Sequence, residues 1–136
     1  MTPAERLSGR NPSEAEIDEI ARRTLERLPS PFADSLGDVV LQVEPVADAE
    51  TARRVGLSHP MHLSGLYQGV SLDRQSVSYP TALPERITLY SRPILAEWRS
   101  TSVSLDQLVS HIVIHEVGHH FGFSDDDMHA LEDSAE

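Results

Sequence analysis

The chain contains no cysteine and no lysine. Without cysteine there is neither a disulfide framework nor a thiolate metal site, so any bound zinc has to be held by histidine and carboxylate. Without lysine there is no Schiff-base amine and no lysine general base. Aromatic residues are scarce, and the only phenols are Tyr67, Tyr79 and Tyr90. One of these is a candidate donor to an oxyanion, although each also suits a half-buried strand position. Positive charge is short as well: 11 arginines face 22 acidic residues, for a net charge of −11. A sequence-independent nucleic-acid binder needs a basic surface, so no nucleic-acid partner is expected. The acidic balance favours solubility and disfavours acidic substrates. No stretch approaches the roughly 20 apolar residues of a membrane span. The first residues, MTPAERLSGRNPSEAE, lack the apolar core of a signal peptide, so the expected location is cytoplasmic, with no membrane partner.

What is present suits one domain. With 136 residues, 39% of them hydrophobic, the chain can bury a single core. Residues 1–12 read as a flexible tail and residues 13–136 as the domain. Ser13 is placed to cap a helix, with Glu16 three residues on and an apolar stripe of Ile17, Ile20, Ala21, Thr24, Leu25 and Leu28. Pro29 and Pro31 end it. Residues 38–44 (DVVLQVE) form a β-branched strand, and a short helix is expected at 48–55 in the connection that follows. Residues 66–72 (LYQGVSL) are a strand in which Gly69 marks a bulge or close approach. Residues 86–92 (RITLYSR) alternate like a strand, and Pro93 suits the first turn of a helix to about Arg99. Ser104 caps a second long helix with apolar Leu105, Leu108, Val109, Ile112, Val113 and Val117. A short helix is expected to start at Ser124, with Asp125, Asp126 and Asp127 at its positive end. The order of elements is that of an α+β fold.

The stretch HIVIHEVGHHFGF, residues 111–123, carries the chemistry. His115 and His119 are four residues apart, so on a helix they lie about 40° apart around the axis and can offer nitrogens to one metal ion. Glu116, roughly 100° round from His115, is placed to take a proton from a water on that metal. A catalytic zinc requires a third protein ligand and an open position. Gly122 lets the chain turn out of the helix, and Asp125 follows His119 by six residues. Read whole, the pattern is H-E-x-x-H-x-x-G-x-x-D, with Asp where metzincins usually have His. His129 and Glu132 are the rival third ligands. A solvated polar face would also place these residues in sequence, but theirs continues from Leu105, Leu108 and Ile112. Part of it therefore points inward, where unpaired His and Glu would be costly and a metal would remove the cost. His111 reads as a surface or supporting histidine. His120 reads as a helix-end histidine near the negative pole of the dipole. His59 and His62 sit in the long connection with no assigned role.

HEVGHHFGFSDDDMHAL resembles the signature of a family of small bacterial zincin-like metallopeptidases. LSGLYQGVSL, LPERITLYSRPI and LERLPSPFADSLGDVVLQVE resemble other family segments, so that the likeness spans roughly residues 13–133. The resemblance implies a minimal zincin-like fold: a small mixed sheet packed on the active-site helix, with an N-terminal and a short C-terminal helix. It also implies Zn2+ held by His115, His119 and Asp125, with Glu116 as general base. Larger zincins have a methionine turn beneath the metal and a C-terminal subdomain that forms the lower wall of the peptide cleft. Here Met128 lies three residues after Asp125 and 17 residues follow His119. Two functions follow. The first is a zinc-dependent metallopeptidase acting on a peptide or protein substrate, with residues 86–92 as the sheet edge that pairs with it. The second is a metal-stabilised module that binds protein with little or no turnover.

Overall fold

The computed structural model describes residues 12–29, 39–69 and 85–121. Helix α1, Glu14–Arg27, starts where the Ser13 side chain accepts a hydrogen bond from the Glu16 N–H and ends ahead of Pro29. Its apolar stripe is buried at Ile17, Ile20, Ala21 and Thr24. Strand β1, Val40–Glu44, follows. Helix α2, Ala49–Arg54, is capped by the Asp48 carboxylate, which accepts from the Thr51 N–H at 2.7 Å. A 3-10 turn at Pro60–His62 leads into strand β2, Gly65–Gln68. Strand β3, Arg86–Tyr90, passes directly into helix α3, Ser91–Ser100, with Pro93 in its first turn. Helix α4, Leu105–His120, opens on a reciprocal capping box between Ser104 and Gln107.

The three strands form one mixed sheet in the order β1-β3-β2, with β1 parallel and β2 antiparallel to β3. This corrects the reading of residues 86–92 as a sheet edge. β3 is the central strand, hydrogen-bonded on both sides, and a peptide has no free edge there. The alternating pattern suggested a half-exposed strand, yet Ile87, Thr88, Leu89 and Tyr90 are all buried. Ile87 and Leu89 belong to the main core, whereas Tyr90 belongs to a second apolar cluster with Ala47 and Leu63. Burial on both faces makes a strand's hydrophobic pattern a poor guide to its place in the sheet. The strand also ends sooner than expected, because Ser91 and Arg92 are already helical.

The main core gathers α1, α4, Trp98 and Ile94 of α3, and Leu41, Ile87 and Leu89 of the sheet. A polar link joins the two long helices inside it: Thr24 Oγ1 donates to the Ile20 carbonyl and lies 2.9 Å from Ser110 Oγ. These contacts fix the rotation of α4 about its axis, and that rotation decides which of its histidines face the sheet. No helix among the described residues is long and apolar enough to cross a membrane.

Candidate metal centre

α4 meets the sheet at β2, and Gly65 is the point of closest approach. A Cβ atom there would lie 2.7 Å from Ile112 Cγ2 and 3.4 Å from Glu116 Cγ. Glycine is therefore needed for space at this position. Gly65→Val is expected to lower stability by about 1–3 kcal/mol, the usual cost of overpacking. A urea midpoint unchanged from wild type would show that β2 is free to move away from α4.

His115, Glu116 and His119 come together on the face of α4 that this approach brings to β2. Their ligand atoms all lie within 4.8 Å of one another. The two imidazoles meet edge to face, with centroids 4.9 Å apart. His115 is half-buried and His119 exposed, whereas Glu116 is only 7% exposed. Burial pushes the Glu116 carboxyl from its ordinary 4.5 up to about 7, against the opposing effect of a hydrogen bond from the Tyr67 backbone N–H. A base poised near neutrality suits proton transfer at physiological pH. Two imidazoles, a neighbouring carboxylate and no thiolate make a donor set that fits zinc.

The three residues line a cleft of about 570 Å³. Gly65, Leu66, Tyr67 and Gly69 border it from β2 and its exit, and Val55, Leu57 and Leu63 border it from the α2 connection. Successive β2 side chains point to opposite sheet faces, so the cleft runs along the outer edge of that strand. Among the described residues this edge is unpaired. This strand, and not residues 86–92, is the one at the sheet edge beside the cluster.

Other candidates fall elsewhere. His111 is exposed and lies outside the cluster. His59 accepts from the Met61 N–H and contacts the His62 ring, and neither histidine lines the cleft. Tyr90 is buried in the second apolar cluster. Gly122, Asp125, Asp126, Asp127, Met128, His129, Glu132 and Tyr79 lie outside the described residues.

His120 is a helix-end histidine, the last residue of α4, but it is buried and lies outside the His115–Glu116–His119 cluster. Its ring is 1% exposed, and Nδ1 lies 2.8 Å from Glu85 Oε2 and 3.3 Å from the Tyr67 hydroxyl. With the proton on Nδ1, the buried Nε2 is left as a bare acceptor and not as a stranded donor. Burial, then the nearby Glu85 charge and hydrogen bond, raise the Tyr67 phenol. The cluster clamps β2 to α4 beside Glu116. Nothing in the sequence singled out Glu85, an isolated acidic residue after Pro84, because its role exists only once β3 lies beside the end of α4. Glu85→Ala removes an acceptor from a buried ring and is expected to cost about 2 kcal/mol. An unchanged melting temperature would rule out the clamp.

The chain matches the family model of the zincin-like metallopeptidases over residues 36–135. It belongs to that family. The matched region contains the whole sheet, α4 and the segment after it, and leaves α1 outside, so it begins later than the span of residues 13–133 suggested by the motifs. No match was found among curated proteins. The α+β architecture of this zincin-like chain, with a small mixed sheet against the HExxH helix, agrees with the fold expected for the family.

Proposed function

We propose that this zincin-like chain is a zinc-dependent peptidase that cleaves an extended polypeptide laid along the outer edge of β2. The observation that carries the proposal is the position of Glu116: a buried carboxyl raised to about 7, beside His115 and His119, at the wall of a cleft beside a strand edge that no described strand pairs with. His115 and His119 would hold the metal, with Asp125, six residues after His119, as the third ligand. When bound, zinc supplies Lewis acidity, which activates a water and polarises the scissile carbonyl.

The chain's own residues do the rest. Glu116 accepts the proton from the attacking water and passes it to the leaving nitrogen. The Tyr67 N–H orients the Glu116 carboxylate for that exchange. An extended substrate lies along β2 and pairs with its outward backbone groups other than the Tyr67 N–H, which donates to Glu116. Incubation of the zinc-loaded protein with casein, an unstructured polypeptide, tests the proposal. Cleavage should stop on chelation and return with added zinc. Cleavage that continues in the presence of excess chelator would sink it.

A further inference from the structure

The cleft has an apolar wall that no zinc-binding role explains. It is built by Val55, Leu57 and Leu63 of the connection between α2 and β2, together with Leu66 of β2. Leu63 is buried in the second apolar cluster with Ala47 and Tyr90, and Leu57 and Leu66 pack against that cluster. The backbone is tied at both ends: the Leu57 N–H donates to the Ala52 carbonyl at 2.9 Å and the Tyr90 N–H to the Ser64 carbonyl at 2.9 Å. Gly56, at φ 83°, makes the turn that leads into Leu57. The wall is therefore preorganised and needs little ordering on binding. Val55, at its lip, is 44% exposed, one of three large hydrophobic side chains left exposed among the described residues.

We infer that this wall is a specificity subsite, and that the substrates of the site carry an uncharged aliphatic side chain, of leucine or methionine size, next to the bond to be cleaved. The inference rests on the metal-centre reading above. Wall and metal-ligand face border one continuous cleft, so an extended chain on β2 with its carbonyl near His115 and His119 places a neighbouring side chain against the leucines. Among the described lining residues there is no arginine, and Glu116 is the only carboxylate. A charged side chain entering here would be desolvated without a counter-ion, whereas an aliphatic one gains from burial.

Small hydroxamates test this without requiring turnover. Acetohydroxamate, 4-methylpentanohydroxamate and succinic monohydroxamate share one zinc-binding group and differ in carrying a methyl, an isobutyl-bearing or a carboxylate-bearing chain. Titrated calorimetrically into the zinc-loaded full chain, the branched probe should bind about 10–100-fold more tightly than acetohydroxamate, the factor expected for burying such a side chain. The succinic probe should bind more weakly than acetohydroxamate. Val55→Asp, an exposed change that spares the core, should cut the preference for the branched probe at least severalfold, with zinc content and acetohydroxamate affinity unchanged. Leu63→Asp should abolish the preference, and its melting temperature shows whether the fold survived. Equal affinity for all three probes, or a preference that Val55→Asp leaves intact, overturns the subsite while the metal centre stands. Failure of the protein to hold zinc, or of acetohydroxamate to bind the loaded protein, overturns the metal-centre reading and the subsite with it.

Discussion

Glu116→Gln is expected to abolish peptide hydrolysis while zinc stays bound. Gln keeps the size of Glu and can still accept the Tyr67 N–H, but it cannot take the water's proton. General-base assistance is typically worth about 10²–10⁴ in rate, and a loss of that size in kcat with unchanged zinc stoichiometry is the result to look for. A wild-type rate in the variant would mean that another group, or a contaminating enzyme, does the chemistry. A protein-binding function that survives the change would favour the metal-stabilised module instead. The same variant should reveal the cost of the buried base. In the metal-free protein the folded carboxyl titrates at about 7 and the unfolded one near 4.5. Between those values the folded state keeps a proton that the unfolded state has lost, so this contribution to stability is present below pH 4.5 and disappears as pH rises through 7. The difference amounts to about 3 kcal/mol. Metal-free Glu116→Gln should therefore be the more stable protein at pH 8 and close to wild type at pH 4. A bound cation favours the ionised carboxylate, so zinc loading should narrow the gap at pH 8. Equal denaturant midpoints for the two metal-free proteins at pH 8 would show that Glu116 ionises without penalty.

Loss of both imidazoles is expected to remove zinc altogether. His115→Ala combined with His119→Ala deletes the two nitrogen donors that α4 brings together, and no other histidine among the described residues joins the cluster. Single substitutions should each weaken binding by more than the roughly 10–100-fold that loss of a supporting hydrogen bond costs a metal site. Asp125→Ala should weaken it more than His129→Ala or Glu132→Ala, as the six-residue spacing from His119 and the glycine between them imply. Because imidazole must be neutral to ligate, affinity in the wild type should fall in acid. Zinc titration of the five single variants and the double variant, with elemental analysis after dialysis, decides the order. Full zinc content in the double variant would place the metal elsewhere, and a larger loss from His129→Ala than from Asp125→Ala would replace the third ligand.

Local signals in the sequence were enough for the helices and the motif. Ser13, Asp48 and Ser104 each cap a helix where a side-chain acceptor precedes an apolar or amphipathic run, because capping depends on neighbours three residues away. His115 and His119 share a face because a helix has 3.6 residues per turn, whatever surrounds it. The close approach suspected at Gly69 is also present: a Cβ there would sit 2.9 Å from Glu85 Cγ and 3.0 Å from the Tyr67 hydroxyl.

What the sequence determined by itself, then, was whatever acts within one or two turns of chain: helix starts, the pairing of two histidines, and a carboxylate beside them. Strand order was beyond it. β3 lies between β1 and β2, so among the described residues the edge strands are β1 and β2, and a buried pattern reads alike in a central strand and in an edge strand covered by helices. The fate of His120 was beyond it too, because its partners Glu85 and Tyr67 are 35 and 53 residues away. Glu116 itself shows the division most sharply. Its place in the motif is a matter of spacing, but the rise of its carboxyl to about 7 comes from burial in the fold, where α4 packs on β2 at Gly65, a position that a Cβ atom would crowd.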